Sequence, residues 1–246
     1  MTENILVSLL VYRKYKSIMA IICDELKMIY LLAPGTGSSA LSKFLIDTFG
    51  GKAVPESEVD VFSQDGQFLL RGKHCTYKEL LKNNMLNKEQ SQYLVVTGVR
   101  NPFEYLYAEW YRSRHRTSRN LGNKSSWIYN VKNSERKIND IIDTLTMDFS
   151  EWIEKRYKDL YGEKKRAFLH SEYIHQSQAY IRKEEMNQDL EKIIAENCGK
   201  QMTIKVPKVN VSRDRDASYW RHYSAEAREI IEYIYQPYLR KFSYYF

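Results

Sequence analysis

The stretch Met28-Ile29-Tyr30-Leu31-Leu32-Ala33-Pro34-Gly35-Thr36-Gly37-Ser38-Ser39-Ala40 decides how the rest of the chain is read. Five apolar or aromatic residues in a row, stopped by Pro34 and Gly35, suit a buried parallel strand. From Ser38 the pattern turns helical: Leu41, Phe44, Leu45 and Phe49 recur at threes and fours until Gly50-Gly51. The loop between them has two glycines that let backbone amides turn towards one point. Thr36, Ser38 and Ser39 add hydroxyls, and a helix N-terminus adds partial positive charge. Such a loop suits a phosphate or a sulfate. A tight turn without a ligand is the other reading. A nucleoside triphosphatase loop needs GxxxxGK[ST]; here the place five after Gly35 is Ala40, followed by Leu41. Gly35–Ala40 does fit the looser dinucleotide pattern GxGxx[GA]. That pattern also wants an acidic residue ending a second strand. Glu56 and Glu58 lie near the required distance, but residues 52–60 do not read as a buried strand.

The pattern repeats further on. Tyr93-Leu94-Val95-Val96-Thr97-Gly98-Val99 reads as a second buried strand, and Pro102 opens a helix carrying Tyr105, Leu106 and Trp110. Thr76-Tyr77-Lys78-Glu79 and Asp148-Phe149-Ser150-Glu151 are helix start signals, the second helix ending at Gly162. Met186–Asn197 reads as a helix. Ser224 caps the last one, with Ala227, Ile230, Ile231 and Ile234 on one face and Pro237 ending it. Strand–loop–helix units predict an α/β fold: a three-layer sandwich around a central parallel sheet, its ligand at the carboxyl ends of the strands. One domain is expected over residues 27–246. Residues 1–26 read as a helical extension: the apolar runs 5–12 and 18–23 are split by Arg13–Lys16, and neither reaches the ~20 residues of a membrane span.

The chain has 246 residues and a net charge of +7, spread over several runs rather than one tail. A nucleic-acid binder would interleave its basic residues with stacking aromatics on one face; Arg112–Arg119 offers only the charge. The three cysteines form no metal pair, and the five histidines show no zinc spacing. A reducing, cytoplasmic setting without a metal is expected, with no nucleic-acid partner and no stable membrane insertion. The oligomeric state is not legible.

Taken together, the loop after the first strand and Val99-Arg100-Asn101-Pro102-Phe103-Glu104-Tyr105 after the second resemble the sulfotransferases that use 3'-phosphoadenosine 5'-phosphosulfate (PAPS). The likeness is to their carbohydrate-type and bacterial branch, over roughly residues 27–246. Ala179–Glu185 and the aromatic tail Tyr223–Phe246 are similar to later family segments. The resemblance implies a P-loop-like sulfotransferase fold. Gly35, Thr36, Gly37, Ser38, Ser39 and Ala40 would hold the 5'-phosphosulfate, and Arg100 the 3'-phosphate. Asn210, Ser212, Arg213 and Arg215 would sit in the loop that closes over the nucleotide. His74, in Arg71–Thr76, resembles the acceptor-side base, and a neutral imidazole suits that task. It lies two residues before the predicted cap Thr76, where a helix's positive end disfavours the imidazolium. The family commonly has Lys or Arg where this chain has Gly35, and Ser where it has Ala108. Lys73 is a candidate for the missing cation. The implied reaction moves a sulfuryl group to a hydroxyl or amine of a small metabolite or glycan, as in bacterial natural-product tailoring. A kinase-like nucleotide enzyme and a catalytically degenerate PAPS binder are the alternatives. Residues 55–68 and 113–146 lack clear core patterning and are expected to line the acceptor pocket.

Overall fold

The computed structural model describes residues 20–55, 61–62, 68–70, 74–129, 133–207 and 216–246. Lys73, Asn210, Ser212, Arg213 and Arg215 lie outside the described residues, as do residues 1–19.

The chain begins with strands β1 (Ala20–Cys23) and β2 (Met28–Leu31), then helix α1 (Ser38–Phe49) and strand β3 (Lys52–Val54). Two short strands, β4 (Val61–Phe62) and β5 (Phe68–Leu70), pair with each other, and α2 (Tyr77–Lys82) follows. Strand β6 (Leu94–Val99) leads into α3 (Pro102–His115), α4 (Ser134–Thr146), α5 (Phe149–Gly162) and the single turn α6 (Ser171–Ile174). Strand β7 (Ala179–Arg182) precedes α7 (Met186–Cys198), α8 (Ala225–Ile234) and α9 (Gln236–Phe242).

The main sheet has the order β3-β1-β2-β6-β7. Strands β2, β6 and β7 run parallel, with Tyr30 opposite Val96 and Thr97 opposite Tyr180. Strand β1 is antiparallel to both β2 and β3. The sheet is therefore mixed, which corrects the expected parallel sheet. The same strand corrects the end of the expected helical extension. Ala20–Cys23 is buried throughout and turns through residues 24–27 into β2. A four-residue apolar run does not reveal by its own periodicity whether it is strand or helix. Pairing with β2, a non-local event, decides it here.

Side chains alternate across this sheet, as the pleat requires. Ile21, Cys23, Met28, Tyr30, Val96 and Ile181 face one way, against Leu41 and Leu45 of α1 and Leu190 and Ile194 of α7. Ala20, Ile22, Ile29, Leu31 and Val95 face the other way, against Leu80 of α2 and Tyr173 of α6. Helices thus cover both faces, giving three layers. Beyond the end of β6, helices α3, α5, α8 and α9 form a second apolar body around Phe103, Trp152, Ile231 and Tyr238. Trp152 is 1% exposed, so truncating it to Ala should cost about 3–5 kcal/mol.

The local signals behave as their chemistry demands. Thr76 and Asp148 each make both bonds of a capping box, and Gly50 closes α1 in the left-handed conformation. Pro237 ends α8 but also opens α9, so the terminal segment is two helices rather than one. Residues 134–146, expected as pocket lining, are helical; Ile141 and Thr144 are buried.

Candidate functional site

Three strand ends meet in one place because β2, β6 and β7 are parallel neighbours. The loop after β2 passes over the end of β6. Gly98 permits this approach: a Cβ there would lie 2.5 Å from Thr36 Oγ1. Gly35 (φ 72°) and Gly37 (φ 82°) are both left-handed, with Thr36 between them. Alternation of this kind points successive amides to one side and forms an anion-sized concavity. Among the described residues, nothing accepts from the amides of Gly35, Thr36, Gly37, Ser38 or Ser39. The Thr36 side chain is different. It is buried and donates to Ala33 O at 2.9 Å. The Thr36 hydroxyl, expected as a ligand contact, here braces the loop, and its amide has no acceptor among the described residues.

Arg100 leaves the end of β6 and is 3% exposed. Its backbone is clamped by the Tyr238 phenol, which accepts from Arg100 N (3.2 Å) and donates to Arg100 O (3.1 Å). Its guanidinium donates Nε and Nη2 to Glu104 at 2.9 and 2.7 Å, and Nη1 to Gly35 O at 2.9 Å. The guanidinium is therefore engaged in an ion pair with Glu104. The same guanidinium also ties the glycine loop to the end of β6.

Glu104 holds a second cation. Lys183, just past β7, places Nζ 2.9 and 3.1 Å from the two Glu104 oxygens. Burial pushes the Glu104 carboxyl up, but hydrogen bonds and charge from Arg100 and Lys183 together hold it well below the usual range. Burial and the neighbouring Arg100 both push the Lys183 ammonium down. Beside this cluster opens a cavity of about 510 Å³ whose walls include Asn101, Arg182, Glu184, Tyr219, Trp220 and Tyr245.

His74 reaches the same strand end from the side of α2. Its Nδ1 lies 2.8 Å from Leu32 O. A carbonyl can only accept, so Nδ1 carries a proton and donates it to Leu32 O. Tyr173 donates to the His74 carbonyl at 2.5 Å and fixes the backbone. A second imidazole, His170, lies near the Pro34 carbonyl and packs edge-on against Tyr105, 5.1 Å between ring centroids. Burial lowers its pKa to about 4. The structure thus brings His74, the Gly35–Ala40 loop and Arg100 together.

Sequence reasoning missed Glu104, Lys183 and His170. The first had a signal, because it lies four residues after Arg100 at the start of a helix. His170 had none; the turn before α6 delivers it across the fold.

No family model matches the chain, and comparison with curated proteins and with solved structures found no match. Among the described residues, no helix is long and apolar enough to cross a membrane, and no group of three or more His, Cys, Asp or Glu could hold a metal ion.

Proposed function

We propose that this chain is a PAPS-dependent sulfotransferase acting on a hydroxyl or amine of a small metabolite or glycan. The observation that carries the reading is the pairing of two anion-receptive features on adjacent parallel strands. One is the amide-rich loop after β2; the other is the buried Arg100 guanidinium at the end of β6. A ligand with a 5'-phosphosulfate and a 3'-phosphate spans such a pair. The loop lacks the lysine that a triphosphate would need. The cavity lined by Tyr219 and Trp220 lies next to Asn101 and Glu184 and offers room for an aromatic base. In this reading the loop amides hold the sulfated end. Arg100 orients the loop and sets the potential at the second anion site. His74 Nε2 takes the proton of an acceptor hydroxyl.

The test is a thermal-shift series with adenosine 3',5'-bisphosphate, PAPS, ATP with magnesium, and NAD. The bisphosphate should give the larger shift; at about 100 times its dissociation constant it adds about 2.7 kcal/mol. An equal or larger shift with ATP would reject the reading in favour of a kinase-like enzyme. Binding of PAPS without turnover of any acceptor, across hydroxyl and amine panels, would favour a degenerate binder.

A further inference from the structure

The loop that would carry the sulfated end has amides but no cation, and the fold does not allow one at Gly35. That residue is left-handed, and a Cβ on it would lie 2.8 Å from the Tyr105 ring. Positive charge must therefore come from outside the loop. Lys183 is placed to provide it. Its Cγ lies 3.6 Å from where a Cβ on Gly37 would stand, so its stem crosses the loop at the second left-handed glycine. Its head sits on Glu104, which already pairs with Arg100. These two cations share the Glu104 carboxylate, and Glu184 lies near enough to act on Lys183 as well. The Lys183 side chain is 29% exposed, so a solute reaches it. An ammonium has three donors, and one remains when two point at Glu104.

We propose that Lys183, entering from the end of β7, is the catalytic cation for the leaving phosphate. This rests on the sulfotransferase reading. As the acceptor oxygen forms its bond to sulfur, the bond from sulfur to the bridging phosphate oxygen breaks. Its electron pair stays on that oxygen, and the acceptor's proton passes to His74 Nε2. The 5'-phosphate gains a charge in the process, and the Lys183 ammonium lies beside it. A fixed cation aimed where charge develops lowers the barrier most.

The experiment compares wild type, Lys183→Met and Lys183→Arg by calorimetry, with adenosine 3',5'-bisphosphate and adenosine 3'-monophosphate as probes. The second probe lacks the 5'-phosphate. Lys183→Met should weaken the bisphosphate by about 10–100-fold, the value of one charge-assisted hydrogen bond. The 3'-monophosphate should change by less than about threefold, because no other contact is lost. Lys183→Arg should restore part of the bisphosphate affinity. Equal losses for both probes, or none for either, would overturn the assignment of Lys183 while leaving the nucleotide reading standing. Failure of wild type to bind either probe would overturn both. If Lys183→Met melts too low for calorimetry, Lys183→Gln, one bond shorter but neutral and still a donor, must show the same selective loss.

Discussion

The ends of β2 and β6 lie side by side yet present opposite chemistry. After β2 the backbone does the presenting: five consecutive amides have no acceptor among the described residues, and the Thr36 hydroxyl braces the loop. After β6 the side chain is the feature, and it is already engaged: Arg100 is committed to Glu104 and Gly35 O. The difference shows two ways of building an anion site. Glycines at positive φ can turn successive amides to one side before a ligand arrives. A buried guanidinium cannot wait unpaired, because an unneutralised buried charge costs several kcal/mol. Here it holds a carboxylate, and the net charge of the cluster depends on how many cations share that carboxylate.

The largest effect is expected at the group that would do chemistry between the two strand ends. His74→Ala should lower turnover by about 10²–10⁴-fold and leave donor affinity nearly unchanged. Single-turnover sulfuryl transfer measures it once an acceptor is identified. A rate within about threefold of wild type would remove His74 from the mechanism.

Next comes the engaged end. Arg100→Ala leaves Glu104 half-neutralised and unties the glycine loop. Removing one partner of a buried pair should cost about 3–5 kcal/mol in stability, measured by urea unfolding. Glu104→Gln removes the carboxylate charge but keeps hydrogen-bonding capacity and should cost much less. If Arg100→Ala melts like wild type and only nucleotide affinity falls, the ion pair is dispensable and the contrast between the two strand ends fails.

The amide-lined end is tested by Gly35→Ala. An alanine forced into the left-handed region costs about 1–2 kcal/mol. Its methyl also meets the Tyr105 ring, 2.8 Å from the Cβ position. A modest drop in stability should therefore accompany a clear loss of bisphosphate binding. Retained binding in calorimetry would mean that the loop amides are not the ligand's contacts.

How much of the molecule was legible in the sequence follows the same division. Gly35, Gly37, Thr76, Asp148 and Pro102 act through the backbone within a few residues, so their roles can be read locally. The two central strands were legible because a short continuous apolar run closed by Pro or Gly fits a buried strand better than a helix of ordinary length. β1 was not. Ile21-Ile22-Cys23 becomes a strand only by pairing with residues 28–30, and the four apolar residues alone fit a helix as well. At the site, Arg100 was legible as a strand-end cation, but its partner depends on how α3 leaves the strand. Lys183 and His170 reach the loop from 146 and 133 residues beyond Gly37 (183 − 37; 170 − 37). Such arrivals are set by tertiary packing, which no local pattern encodes.

The smallest expected effect concerns His170, which is held against the backbone of the loop itself. Burial lowers its pKa from 6.5 to about 4, outweighing the Pro34 carbonyl and Glu172, which act the other way. A histidine whose folded pKa is depressed is neutral in the native protein and charged in the unfolded chain over the interval between the two values. The unfolded chain then binds the extra proton, so stability falls as the pH drops from about 6.5 towards about 4. Between pH 7.5 and 5.5 this one group should remove about 1 kcal/mol. His170→Asn is the proper comparison. His170 has φ 53°, a conformation that Asn tolerates better than most residues, and Asn does not titrate. Its urea unfolding curves at the two pH values should show a loss smaller than wild type's by about 1 kcal/mol, while every other titrating group cancels in the difference. Equal losses would mean that the imidazole reaches solvent and protonates in the native state.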